Sequence, residues 1–252
     1  MLSRRSFFLT ILLVLLFSKD ALTSSYNYRF TWLGITVSNL SITYKEPIFH
    51  HGGLNFKIET QGPLKLYRNY SSSGYIKEID ENRWDYYLTG LDRGQPEEKK
   101  ISYFRNKAPK IIKFIDDKGE KPLEIDQSGD IGSLDPFSVI LFIASNIKKN
   151  EDYADIFHIM DGKRRYVVEA HQINEKDKAT NTEGINKKLI PYRIFVYENN
   201  PNNKVIKFNK WPFNGKEKYF DIWFIRNKTN EVFPYKFRIN SPIGRIMGRL
   251  EV

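Results

Sequence analysis

The sequence predicts a mainly antiparallel β fold: a curved sheet or an open or half barrel, with one buried helix at about residues 135–148. Three observations predict it. Aromatic residues make up 15% of the 252-residue chain, with 18 Phe, 15 Tyr and 4 Trp, and these types suit a pleated surface with one buried face. Apolar and polar residues alternate in short blocks separated by Gly, Pro, Asn and Asp, which is the pattern of antiparallel strands. A single segment, Ser133 to Asn150, breaks the alternation with helix signals. At 40% hydrophobic and 28% charged, the chain is neither disordered by composition nor saturated for a membrane.

The first element is an export signal. A basic start carrying Arg4 and Arg5 precedes an apolar run from Phe7 to Phe17, broken by Lys19-Asp20 and followed by Ala21, Thr23, Ser24 and Ser25. This is the three-part layout of a secretory signal. The run falls well short of the roughly 20 residues needed to span a bilayer. The organisation read from it is a signal peptide at 1–25 and a single β-rich domain at 26–252, with no membrane span after cleavage. Ser3-Arg4-Arg5-Ser6-Phe7 is also similar to the twin-arginine signal, although Phe8 and Leu9 depart from it. Either route places the mature protein in the periplasm or otherwise outside the cytoplasm of a bacterium.

The strand blocks before the helix are Tyr26–Leu33, Ile35–Lys45, Leu54–Gln61, Leu64–Arg68, Gly74–Ile79, Trp84–Gly90, Lys99–Arg105 and Ile111–Asp116. Those after it are Asp155–Met160, Lys163–Ile173, Tyr192–Tyr197, Val205–Phe208, Lys218–Arg226, Phe233–Ile239 and Arg245–Glu251. Gly52-Gly53, Gly62-Pro63 and Asp161-Gly162 supply turn chemistry between them. Asp116–Ser133 reads as a connector and Asn174–Lys188 as a loop. In the helix, Asp135 is the predicted N-cap, Pro136 takes the first helical position, Ser138 belongs to the helix start, and Lys148 and Lys149 occupy the last turn. Its apolar residues surround most of the circumference, so the helix is expected to plug the concave side of the sheet.

Composition excludes several chemistries. With no cysteine, a thiol nucleophile, a Cys-bound zinc, an iron–sulfur cluster and a disulfide scaffold are impossible. His50, His51, His158 and His171 show no metal-ligand spacing, no Gly-x-Ser-x-Gly elbow appears, and no Gly-rich phosphate loop is present. No cofactor, metal or catalytic residue is assigned, and the protein is expected not to be an enzyme. The net charge is +10; without residues 1–25, 37 basic residues face 29 acidic ones, which favours anionic surfaces. The basic residues are dispersed in pairs, so nucleic acid is not an expected partner.

Asp161-Gly162-Lys163-Arg164-Arg165 carries two readings: a tight turn between two strands, or a basic rim for an anionic ligand. Trp223, with Trp84 and Trp211, reads either as core or as the lining of an aromatic cavity. Asp135, Pro136, Ser138, Asp161, Gly162, Arg164, Arg165 and Trp223 are therefore the candidate motif or ligand-rim residues.

These motifs also occur in an order that resembles an exported bacterial family catalogued as domain of unknown function 3108. The residues carrying the resemblance are Phe30-Thr-Trp-Leu-Gly34-Ile, Asp135-Pro136-Phe137-Ser138, Phe157-His-Ile-Met-Asp161-Gly162-Lys-Arg164-Arg165-Tyr166, Asp221-Ile-Trp223-Phe224, Pro234-Tyr-Lys236-Phe237 and Gly244 through Gly248-Arg-Leu250. The chain departs from that family at Ile225-Arg226 and Tyr235. The resemblance implies a periplasmic, mostly antiparallel protein similar to carriers that hold acyl chains against an internal helix. The expected function is binding of a lipid or other amphipathic, anionic envelope component on the concave face. The alternatives are an envelope scaffold whose partner is another envelope protein, and an envelope hydrolase. A dry cavity of several hundred Å³ beside the helix separates the first reading from the second.

Overall fold

The computed structural model describes residues 23–45, 53–116, 119–120, 131–149, 155–162, 164–173, 189–199, 205–207, 219–226, 230–241 and 244–251. The expectations for residues 1–22, for Trp211 and for most of the two connecting segments lie outside these residues. In the first half the strands are β1 (Thr23–Trp32), β2 (Ile35–Lys45), β3 (Gly53–Thr60), β4 (Tyr70–Asp80), β5 (Arg83–Asp92), β6 (Gln95–Phe104), β7 (Lys110–Asp116) and β8 (Gly119–Glu120). The second half contributes β9 (Asp155–Asp161), β10 (Arg164–Gln172), β11 (Ile190–Asn199), β12 (Val205–Lys207), β13 (Tyr219–Arg226), β14 (Val232–Ser241) and β15 (Gly244–Glu251). Two helices complete the described elements, α1 (Gly62–Tyr67) and α2 (Pro136–Lys148).

All the strands join one antiparallel sheet in the order β8-β7-β6-β5-β4-β3-β2-β1-β15-β14-β13-β11-β10-β9, with β12 beside β11. The topology is two meanders zipped together by the first and last strands, with Asn27 opposite Glu251 and Trp32 opposite Ile246. Tight turns set the register. Leu33-Gly34 and Arg93-Gly94 both take positive φ, at 49° and 81° and at 55° and 80°, the two-residue geometry whose twist matches the flanking strands.

Among the described residues no ladder joins the two ends of the sheet, yet they are tied together. The Tyr103 hydroxyl on β6 donates to the Met160 carbonyl on β9. Leu134, just ahead of α2, makes a parallel bridge to Ile159; its N–H donates to the His158 carbonyl at 2.8 Å and its carbonyl accepts from Met160 at 3.1 Å. That bridge covers backbone groups on the free edge of β9, where an exposed edge would invite pairing with another chain. Gly162, at φ +66°, turns β9 into β10 against the Phe114 ring on β7. An added Cβ would lie 2.0 Å from that ring. Gly162→Ala is accordingly expected to lower stability by about 1–3 kcal/mol through overpacking and backbone strain, measured as a shift in the urea midpoint.

The main core fills the concave side. Tyr28, Tyr86, Ile101, Tyr103, Met160, Ile222 and Phe224 are almost completely buried and belong to one cluster with Val139, Ile143 and Ile147 of α2. The helix ends where Arg226 of β13 donates through Nη2 to the Ile147 carbonyl at 2.7 Å, supplying a partner and a positive charge to the last turn.

One predicted strand is a helix. Leu64–Arg68 was expected to be extended, because Leu64, Leu66 and Arg68 alternate; residues 62–67 instead form α1. Gly62, at φ +53°, turns the chain, and Pro63 is pre-set for a first helical turn. Leu64 alone is buried, against Val37 and Ile246, while Leu66 is 93% exposed. A strand would have placed Leu64 and Leu66 on one face.

Candidate functional site

The site begins with the residue that fixes α2. Asp135 is fully buried and adopts the extended conformation of an N-cap. Its Oδ1 accepts from the backbone N–H groups of Phe137 at 3.0 Å and Ser138 at 2.9 Å. Its Oδ2 accepts from the Ser138 hydroxyl and from the Trp84 indole N–H on β5 at 3.1 Å. Burial pushes the carboxyl above the usual aspartate range, and the four donors oppose that shift by stabilising the charge. The predicted cap is thus in place, and it also bolts α2 to the sheet. Trp84 in turn stacks on Tyr103, with ring centroids 5.8 Å apart.

The helix held in this way does not fill the concave face. Between one flank of α2 and the inner side of β9, β10, β11 and β13 lies a cavity of about 310 Å³, walled by Phe137, Ile140, Ile143, Val168, Val196 and Phe220 among others. Among the described residues no charged side chain lines it. Phe137, Ile140, Val196 and Phe220 are only half buried, so the cavity opens to solvent. A smaller hollow of about 90 Å³, lined by Tyr26, Tyr44, Leu141 and Phe233, occupies the other flank and shares Phe137 and Ile140 with the first. Phe137 is anchored by stacking on Phe56 with centroids 4.2 Å apart. The larger volume lies at the lower end of the range for small-molecule sites, and apolar walls keep such a space poor in ordered water.

The structure distributes the other candidate residues. Pro136 lines the larger cavity at the start of α2. Asp161 and Gly162 form the predicted turn, with Asp161 opposite Arg164 across a two-residue loop. Asp161 points across the sheet to β6, where its two carboxylate oxygens accept from the Lys99 ammonium at 2.7 and 2.8 Å. Arg164 and Arg165 open β10, and Arg165 is half buried. Arg165 is not among the residues that line the cavity beside α2. Trp223 lies on the face of β13 opposite Ile222 and Phe224, buried beneath Lys236 and Arg238, whose charged groups sit 4.4 and 4.9 Å from its ring. Its neighbour Asp221, also buried, binds Arg193 and Arg238. Trp223 therefore belongs to a cation-stacked cluster outside both apolar hollows.

Sequence reading missed Glu97 and Lys99. Alternation along β6 places Glu97, Lys99, Ile101 and Tyr103 on one face, and the last two are core. Inward charge was therefore legible once the strand was extended two residues past its predicted start. Lys99 is 8% exposed, lies 3.1 Å from Glu97 and holds Asp161. Burial lowers its proton affinity, but the charges of Asp161 and Glu97 outweigh that and lift it above the usual lysine value. No group of His, Cys, Asp and Glu residues with metal-binding geometry occurs among the described residues, and no described helix is long and apolar enough to cross a membrane.

The fold has a solved counterpart. The chain is similar to the crystal structure of a β-barrel-like protein of domain of unknown function 1849 from Brucella abortus. The TM-score is 0.51 at 10% identity, over 91% of this chain and 94% of that one. At that identity the likeness shows architecture alone: a β-barrel-like domain, here a curved antiparallel sheet that is not closed. No protein-family model matches the chain, and no curated protein matches it.

Proposed function

We propose that this is a non-enzymatic, exported envelope protein that holds a lipid or other amphipathic envelope component in the cavity beside α2. The observation that carries this reading is the 310 Å³ apolar space between α2 and the sheet. A scaffold filled by its own side chains would close such a space to native packing density. The wall offers aliphatic and aromatic carbon, which binds by burial rather than by proton transfer. The secretory layout of residues 1–25 and the resemblance to domain of unknown function 3108 support a periplasmic setting, and the excess of basic residues suits anionic headgroups around the mouth.

Native mass spectrometry of the mature protein purified from its own envelope, followed by organic extraction, tests the reading. A lipid adduct on the native protein is expected. A clean apo mass would favour the scaffold and make cross-linking to envelope proteins the next measurement. Val196→Phe narrows the cavity from a half-buried wall position. It is expected to remove most of the co-purifying lipid while moving the melting temperature by only a few degrees. Retention of the full lipid complement in that variant would place the lipid elsewhere.

A further inference from the structure

Four neighbouring connections at one end of the sheet expose carbon to solvent. They are the β14–β15 turn, the β1–β2 turn, α1 and the β5–β6 turn, which antiparallel alternation brings to the same end. They touch in series. Gly244 lies against the Trp32 ring, Gly62 against the Thr36 carbonyl, and the Arg93 N–H donates to the Asn69 carbonyl at 2.7 Å. Five large apolar side chains stand out from them or from the strand ends beside them: Leu33 is 81% exposed, Leu66 93%, Tyr67 64%, Ile35 50% and Leu91 47%.

Core packing does not account for these residues. Leu64 anchors α1 on Val37 and Ile246, and Leu66, about 200° farther round the helix, is thereby turned to solvent. Leu33 is the first of the two positive-φ residues of its turn, at 49°, a conformation that Asn, Asp or Gly adopts at less cost than a branched apolar residue. It neither relaxes the turn nor packs on the core.

Charge favours one kind of partner. Among the described residues of these connections, the exposed charged side chains Lys65, Arg93 and Arg245 are all basic. The acids nearby, Asp92 and Glu59, each face a cation, Arg68 and Lys57. The opposite end is mixed, with Asp80 and Glu81 exposed at the β4–β5 turn and Arg105 and Lys107 exposed beyond β6. Apolar tips among cations match an anionic lipid surface: carbon enters the acyl boundary, tyrosine sits at headgroup depth, and each cation near the surface adds attraction. The apolar side chains also project from separate connections, which suits a fluid phase that closes around each tip better than a rigid partner.

We propose that this end of the sheet is a membrane-docking rim, which inserts Leu33, Leu66 and Tyr67 into an anionic lipid surface with Lys65, Arg93 and Arg245 on its phosphates. The proposal rests on the envelope setting inferred above but not on a bound lipid, since none of these residues lines the cavity beside α2. A mature protein free of co-purifying lipid leaves the rim standing, and a failure to bind vesicles leaves the cavity standing. The test is flotation of the mature protein with vesicles of phosphatidylcholine, with and without phosphatidylglycerol as a third of the lipid. Binding is expected with phosphatidylglycerol, weakened about thirtyfold in Lys65→Gln combined with Arg93→Gln and about tenfold in Leu66→Gln. Because the chain has no cysteine, Leu66→Cys carries a single environment-sensitive fluorophore, with Asn82→Cys at the β4–β5 turn as its counterpart. Anionic vesicles should shift the emission to the blue at the first position and not at the second. No binding of wild type to the anionic vesicles, equal shifts at both positions, or unchanged affinity in folded Leu66→Gln would each overturn the proposal. So would a blue shift at the first position that grows with protein concentration in the absence of lipid, which would assign the rim to a second copy of the chain.

Discussion

Lys99→Ala is expected to destabilise the protein by about 3–5 kcal/mol, the cost of leaving buried charges without their partner. Lys99 projects from β6 into the concave space, with its side chain 10% exposed, and its ammonium binds Asp161 at the far end of the sheet order. Removing it strands Asp161 and Glu97, whose side chains are 16% and 18% exposed. Because no ladder joins β6 to β9, the loss should also loosen one of the ties between the two ends of the sheet, and β9 amides should exchange faster than those of β2. Lys99→Met combined with Asp161→Leu removes both members of the closer pair and is expected to recover part of the loss, since Glu97 still lacks its partner. Urea midpoints of the single and double variants measure this; equal destabilisation in both would mean that neither the packing of the stem nor the charge of Asp161 accounts for the cost, and would assign it to Glu97, which both variants leave without its lysine.

The pair also sets a pH window. The folded-state value of Lys99 is raised above that of the unfolded chain, so its contribution is complete below the unfolded lysine value of about 10.4 and is lost as pH climbs through the raised one. The difference in stability between wild type and Lys99→Met should be level through neutral pH and shrink only in strong alkali.

Local signals made most of the fold legible. Alternation found the principal strands, because each carries one apolar face toward a common core, and Asp135-Pro136 marked the start of α2 to the residue. Alternation failed at Leu64–Arg68, where a single turn of helix and a two-residue period both bring the same leucine inward and only Gly62 and Pro63 distinguish them. Charge misled in a different way. Arg164 and Arg165 attracted notice because they are adjacent in sequence, whereas the cluster with two facing carboxylates joins Glu97, Lys99 and Asp161 from strands distant in the sheet order. Which strands face one another across the concave space depends on how tightly the sheet curls, and no short window of sequence encodes that. The cavity beside α2 is of the same kind: Ile140, Val196 and Phe220 look like ordinary core residues, and the space between them exists because the helix is held off the sheet by its ends.

Asp135→Ala is expected to lower stability by about 2–4 kcal/mol, above the usual cost of losing an N-cap, because the two backbone donors are joined by a buried indole and a buried hydroxyl. The carboxylate satisfies Phe137, Ser138 and Trp84 at one point, and alanine would leave the Trp84 N–H without its acceptor. Asp135→Asn is the sharper test. Its amide oxygen can still cap the helix, and its nitrogen can donate to the Ser138 hydroxyl, but that nitrogen then faces the Trp84 N–H, donor against donor. In a Trp84→Phe background the conflict disappears, so the Asn substitution should cost less there than in the wild type, a coupling that a double-mutant cycle reads directly. Additive costs would show that Trp84 and Asp135 act independently. The raised value of Asp135 fixes the sign of the pH effect: the folded state holds this proton more readily than the unfolded chain, so the margin of wild type over Asp135→Asn is widest in acid and narrows as pH rises past about 3.9. Since the same carboxylate places Phe137 and Ile140 along the cavity, the proposed lipid-binding function predicts that a variant that frees the start of α2 loses co-purifying lipid in proportion to the faster exchange of its helix amides.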